Sequence, residues 1–300
     1  MIEPTVSLAE ATDDWAGTGS WSDRISDHIH FWLRNRLALI GLLIVTIVVL
    51  AAIFAPMIAP YDPYERDIRN RIAEPSRAHL LGTDELGRDI LSRIIYGARV
   101  SLMVGAISVG LATLIGAPLG LLAGFNSRRL DSLIMRLMDA LLSFPEIVLA
   151  IAILAILGPS AANAMIAIGI VYIPIFARTI RAPALVESHR EYVEAARASG
   201  ATNRRILFRH IAPNTLSILI VRITISLSYA ILAEAALSFL GLSASPPTPT
   251  WGRMLKDGQS FMQQAPWVAI FPGLAIAITV LGFNLLGDGL RDALDPRTRK

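Results

Sequence analysis

Long uncharged stretches separated by short charged ones set the pattern of this chain. Leu37–Pro60 runs 24 residues without a charge, and 14 of them are Leu, Ile, Val or Phe. At about −0.3 to −0.6 kcal/mol per such residue, insertion is favoured by up to roughly 4–8 kcal/mol. This predicts a first membrane-spanning helix at 37–60. Val100–Ser127 is the second uncharged stretch, with a span expected at 100–125. In it Gly116, Gly120 and Gly124 recur every fourth residue and leave a smooth face for close helix packing; Pro118 is expected to kink it. Ile147–Ala177 is uncharged over 31 residues, too long for one ordinary span. Gly158-Pro159-Ser160 divides it into a hairpin, with spans at 137–157 and 161–180. A fifth stretch at 214–240 carries Arg222 and Glu234. Gly258–Gly287 is uncharged but begins with Gln259, Gln263 and Gln264, which places the sixth span at 266–286. The expected fold is an all-α membrane protein of six transmembrane helices.

Composition agrees. Of 300 residues, 54% are hydrophobic and 17% charged, and the mean hydropathy is +0.55. A soluble domain carries about 25% charged residues, so a single soluble globule, a disordered chain and a fibre are all excluded. There is no Cys, which removes disulfides, thiolate metal sites and cysteine nucleophiles. Residues 1–23 read as a polar tail with Glu3, Glu10, Asp13, Asp14 and Asp23. No apolar segment follows a basic start, so this is not a signal peptide; it is expected to be disordered. Ile25, Ile29, Trp32 and Leu33 then share one helical face beside Arg34 and Arg36. That suits an interfacial helix or a simple lead-in to the first span.

Charge bears on orientation. The net charge is +3. With both termini inside, segments 1–36, 125–136, 178–213 and 289–300 hold 17 of the 27 Lys and Arg. The outer segments, 61–99 and 241–265, hold nine, and Arg222 lies within a span. The excess favours cytoplasmic termini. No basic stripe sits beside stacking aromatics, so a nucleic-acid partner is not expected.

Catalytic patterns are missing. Neither Lys256 nor Lys300 sits in a phosphate-binding G-x-x-x-x-G-K-[ST] loop, and neither H-E-x-x-H nor G-x-S-x-G occurs. The five His are scattered. The chain is expected to be neither an enzyme nor a metal protein.

One loop is too long for a turn. Residues 181–213 separate the fourth and fifth spans, and 187–199 favour helix, with Tyr192, Ala195, Ala196 and Ser199 on adjoining faces. Gly200 suits the left-handed position after a helix end. A second short helix is expected over about 202–211, ending before Pro213. The small residues let another protein approach closely, as in helix-in-groove docking.

These residues carry a resemblance. Glu194-Ala195-Ala196, Gly200 four residues on, and Pro213 resemble the EAA loop of ABC-importer permeases. In that family the loop is the coupling helix, seated in a groove of the ATPase subunit. The family's Ile and Leu before the Pro are His210 and Ala212 here. His79-Leu-Leu-Gly-Thr-Asp-Glu-Leu-Gly-Arg-Asp89, Ser143-Phe-Pro145, Ser238-Phe-Leu-Gly-Leu242 and Asn284-Leu-Leu-Gly-Asp-Gly-Leu-Arg-Asp292 are similar to the dipeptide/oligopeptide branch, C-type subunit. The resemblance covers about residues 30–300. It implies the type I ABC importer permease fold and an inner-membrane location. It also implies a sister permease, two ATPase subunits that bind ATP and Mg, and an external solute-binding protein, with no cofactor in this chain. Relatives of this branch import dipeptides, oligopeptides, glutathione, nickel chelates or sugars.

Within the spans, Asp139, Glu146, Arg222 and Glu234 are candidates for the translocation path or the interface with the sister subunit, since each mid-span charge costs about 2.5–3.5 kcal/mol. Asp84, Arg88 and Asp89 of the first outer segment suit packing between permeases or docking of a binding protein. An ion-coupled transporter or channel using Glu234, Arg222 and Asp139 is the other reading; it would have no need of the 187–213 loop.

Overall fold

The computed structural model describes residues 36–126 and 128–294. The expected tail and interfacial helix lie outside the described residues. The chain is helical: α1 Arg36–Ile53, α2 Ile90–Phe125, α3 Arg128–Leu142, α4 Glu146–Leu157, α5 Ala161–Ser188, α6 Glu191–Ala198, α7 Ala212–Phe239, α8 Trp251–Gln259 and α9 Trp267–Leu294. Among the described residues, five stretches are long and apolar enough to cross a membrane: α1, α2, α5, α7 with its lead-in from Asn203, and α9.

The third expected span differs from the sequence reading. Residues 137–157 are not one helix. The chain turns by 88° between α3 and α4, so a sixth crossing exists only as this bent pair. Pro145 supplies no N–H, and a residue before proline, here Phe144, is disfavoured from helical backbone. The Ser143 hydroxyl donates to the Ala140 carbonyl at 2.7 Å, which closes the last turn of α3. The break at Gly158-Pro159-Ser160 falls where expected, with Ser160 capping α5 by accepting the Asn163 N–H.

α2 and α5 form the central pair. A Cβ built on Gly116 would lie 2.5 Å from the Ile173 carbonyl oxygen, and one on Gly124 would lie 2.6 Å from that of Arg181. Gly120 meets the Ala177 carbonyl in the same way. The four-residue glycine repeat is thus the surface on which α5 lies. α2 runs unbroken through Pro118 and begins ten residues before the expected start. Asp89 caps it by accepting the Ser92 N–H at 2.8 Å. α7 packs across this pair, α9 packs on α7 and α1, and α4 lies along α5. Val104, Val109, Ala112, Leu154, Ile168, Tyr172 and Phe176 fill the main core. α1 is outermost, with Leu37, Leu43 and Ile47 exposed.

The segment before α2 folds into the chain itself. Asp84, Arg88, Asp89 and Arg93 are all buried. Asp84 accepts from Arg88 Nε at 2.6 Å and from the Leu86 and Arg88 N–H groups at 2.9 Å each. Arg93 donates to the Pro63 carbonyl at 3.0 Å. Buried charges need such partners, and this chain supplies them. The cluster is thus held together from within this chain. Burial, then the adjacent Asp84, push the Glu85 carboxyl above the ordinary carboxylate range.

Candidate functional site

The loop between α5 and α7 builds a short exposed helix. α6 spans Glu191–Ala198. Gly200 follows it at φ +79°, a left-handed backbone that a residue with a Cβ resists. The Gly200 N–H bonds the Arg197 carbonyl and the Ala201 N–H bonds the Ala196 carbonyl, each at 3.0 Å. That pair of bonds is the Schellman ending, and Gly200 occupies the position the sequence predicts for it.

The two sides of α6 differ. Val193 is wholly buried and Ala196 half-buried, against Ile180, Ala184, Ile206, Leu207 and Ile211. The Arg197 guanidinium lies 5.6 Å from the Phe125 ring at the end of α2. On the outer side Glu194, Ala195, Ser199 and Gly200 are exposed. A Cβ on Gly200 would meet nothing within 4 Å. This chain therefore offers a small, open surface on a rigidly seated helix.

The connection onward departs from expectation. Asn203–Ile206 does not end before Pro213. It continues through a wide π turn, Leu207–Ile211, into α7, and Pro213 sits in the first turn of α7. A proline within a continuous α-helix removes one N–H donor and crowds the preceding turn. At a helix start the missing donor costs little, and the widened turn just before it relieves the crowding. Thr202 caps this segment by accepting from the Arg205 N–H.

The intramembrane candidates separate into distinct places. Glu234 is fully buried within this chain and accepts from the Ser101 hydroxyl at 3.0 Å and the Ser243 hydroxyl at 3.2 Å. It lines no open path, because α2 and the 241–250 loop enclose it. Asp139 is exposed on α3 and pairs with Arg178 of α5. Next to it Asp131 takes Arg181 in a two-point pair at 2.5 and 2.6 Å. Met135, Asp139, Arg178 and Arg181 border an open cleft of about 390 Å³. Glu146, exposed in the first turn of α4, and half-buried Arg222 act on each other electrostatically, together with Tyr172 and Tyr229. Arg222 Nε is buried without a hydrogen-bond partner. Glu234, Arg222 and Asp139 have three different sets of neighbours and form no joint ion site.

Comparison with known proteins decides the family. Residues 116–300 match the binding-protein-dependent transport system inner membrane component family. The chain belongs to that family. Residues 26–75 of this permease also match the N-terminal transmembrane domain of oligopeptide transport permease C. It is 51% identical to a dipeptide transport system permease protein, DppC, of Alkalihalophilus pseudofirmus, over 100% of this chain and 97% of the relative. A di/tripeptide transport system permease of Pseudomonas aeruginosa is 49% identical, covering 90% and 92%. A glutathione transport system permease, GsiD, of Pectobacterium atrosepticum is 48% identical, covering 90% and 91%. The fold is that of a chain in the inward-facing MetNI methionine ABC transporter. The TM-score is 0.59 at 20% identity, covering 69% of this permease and 98% of that chain. This is a multi-pass inner-membrane permease subunit, which carries no enzymatic step, and nothing favours the ion-coupled alternative.

The sequence singled out Glu194, Ala195, Ala196, Ser199, Gly200 and Pro213, and all lie on or beside α6 and the start of α7. It missed Tyr192 as a hydrogen-bonding centre, the Asp131–Arg181 pair and the π turn. The Asp131 signal was present: an acid on the amphipathic α3, three residues from Ile134, which turns inward.

Proposed function

We propose that this permease imports dipeptides or oligopeptides, or a related small solute such as glutathione. It works with a sister permease, two ATPase subunits and an external solute-binding protein. ATP and Mg belong to the ATPase subunits. Both termini lie in the cytoplasm, and α6 is the coupling helix. The observation that carries this reading is the open, small-sided face of α6, which ends at Gly200 on a helix seated against two spans. Support for the substrate class comes from the dipeptide, di/tripeptide and glutathione systems to which the relatives belong. The exposed Glu146 and half-buried Arg222 belong to the translocation path or to the contact with the sister subunit.

The mechanism is a two-state shift. ATP closes the ATPase pair, which moves the helices seated in their grooves. The permeases then exchange inward-open for outward-open. Only a partner that binds the two arrangements with different free energy drives such a shift.

Gly200→Leu tests the reading. The positive φ alone costs about 1 kcal/mol for a residue with a Cβ, and a clash inside a packed contact adds about 1–3 kcal/mol. Within this chain there is room, so any steric clash arises with the partner. The variant should reach the membrane in normal amount yet lose import, with the ATPases absent or unresponsive to loaded binding protein. Normal import with bound ATPases would refute the coupling role.

A further inference from the structure

Tyr192 sits on α6 between the two spans that α6 connects. We propose that Tyr192 is a positioning residue that ties α6 to α5 and α7 at once, so that a partner displacing α6 moves both spans together. The proposal rests on the coupling role of α6 given above.

The Tyr192 hydroxyl donates to Glu187 Oε2 at 2.5 Å, at the end of α5, and accepts from Asn214 Nδ2 at 2.9 Å, in the first turn of α7. The same Asn214 amide donates to the His210 carbonyl at 2.9 Å, reaching back over the π turn. The phenol has one proton to give. The His210 carbonyl is 3.4 Å away, so the proton goes to the nearer, charged Glu187. Burial, then the bond to Glu187, hold the Tyr192 phenol above its ordinary range. The Tyr192 and His210 rings also lie 6.3 Å apart.

The rest of the underside of α6 is largely apolar, Val193 and Ala196 resting on the Ile206–Ile211 cluster. Apolar contact is non-directional and tolerates sliding or rolling. A bond to a carboxylate is short and directional. Three residues, each on a different helix, thus meet at one hydroxyl. The π turn beside them is a place where helix register changes with little cost, and the Asn214 amide bridges it. A push on α6 is therefore passed to α7 across the π turn instead of being absorbed in it.

The test uses the full transporter, with sister permease, ATPases and binding protein, in liposomes. The readout is labelled alanyl-alanine imported per ATP hydrolysed. Tyr192→Phe keeps the ring and removes both bonds. It should assemble with the ATPases in wild-type yield while import per ATP falls about tenfold, the factor expected for a lost bond to a charged group. Asn214→Ala should lower the ratio by itself. Tyr192→Phe with Asn214→Ala should fall no further than Tyr192→Phe alone, because both remove one shared unit. A wild-type ratio in Tyr192→Phe, or additive losses in the pair, overturns the proposal. Should Tyr192→Phe fail to assemble, an unchanged ratio in Asn214→Ala overturns it equally. Gly200→Leu in the same assay separates the two levels. Loss with Gly200→Leu but not with Tyr192→Phe removes only the clamp. Normal coupling in both variants with the ATPases bound removes the coupling role itself.

Discussion

Two glycines of one helix should respond in opposite senses to the same added methyl group. Gly110 and Gly120 both lie within α2. A Cβ at Gly110 meets nothing within 4 Å, whereas one at Gly120 runs into the Ala177 carbonyl oxygen and lies 3.1 Å from the Arg181 nitrogen. Those are backbone atoms of α5 and cannot rotate aside, so the two central helices must separate. Gly→Ala within a helix gains about 0.5–1 kcal/mol from the stiffer chain, and that gain is common to both sites. The difference between Gly110→Ala and Gly120→Ala therefore isolates the overpacking cost, about 1–3 kcal/mol. At roughly 2–4 °C per kcal/mol for a chain of this size, the two unfolding midpoints should lie about 2–12 °C apart in detergent. Gly110→Ala should match or exceed the parent and Gly120→Ala should fall below it. Thermal unfolding followed by near-ultraviolet circular dichroism reads this directly. Equal midpoints would show that α2 and α5 do not approach through the glycine face, and the central packing described here would be wrong.

Two further outcomes follow from the geometry. Glu234→Ala strands the Ser101 and Ser243 hydroxyls in a buried space and should cost about 2–4 kcal/mol, while Glu234→Gln keeps an acceptor and should cost less than half of that; equal midpoints for the two variants would contradict the enclosed carboxylate. Since the chain has no Cys, single cysteines need no background removal: Glu74→Cys and Ser245→Cys, both at exposed positions, should react with an impermeant thiol reagent from outside intact cells, and Asn203→Cys only after permeabilisation. Labelling at position 203 from outside would reverse the orientation.

Much of the fold is legible because lipid imposes a coarse rule. A span excludes charge, and the uncharged runs locate the starts of α1, α5, α7 and α9 within a turn, although α1 stops about two turns before its expected end and α5 and α9 run about two turns past theirs. The rule fails where a helix continues into a charged region. α2 begins at Ile90 with Arg93 and Arg99 in its first turns, because Pro63 and Asp84 satisfy Arg93 inside the chain. That needs tertiary contacts, which no charge count contains. α8 lies in the outer segment 241–265, where polar residues interrupt the apolar pattern and hide the helix, although Trp251 and Met254 are buried. The break at Ser143–Pro145 was hidden by apolar residues on both sides. Gly200 was legible because its signal is local, a helix end needing a left-handed residue. Tyr192 was not, because its partners Glu187 and Asn214 are set five residues before it and 22 after it.

The 88° break also bears on how the chain enters the bilayer during synthesis. α4 has 12 residues, about 18 Å of helix, against a hydrocarbon layer of about 30 Å. Such a segment is too short to halt in the bilayer by itself. Its lasting anchor is α5, which emerges next across the tight Gly158-Pro159 corner and covers Ala150 and Leu154. α4 and α5 thus form one insertion unit, and the length of that corner sets the interval during which the nascent α4 remains uncommitted.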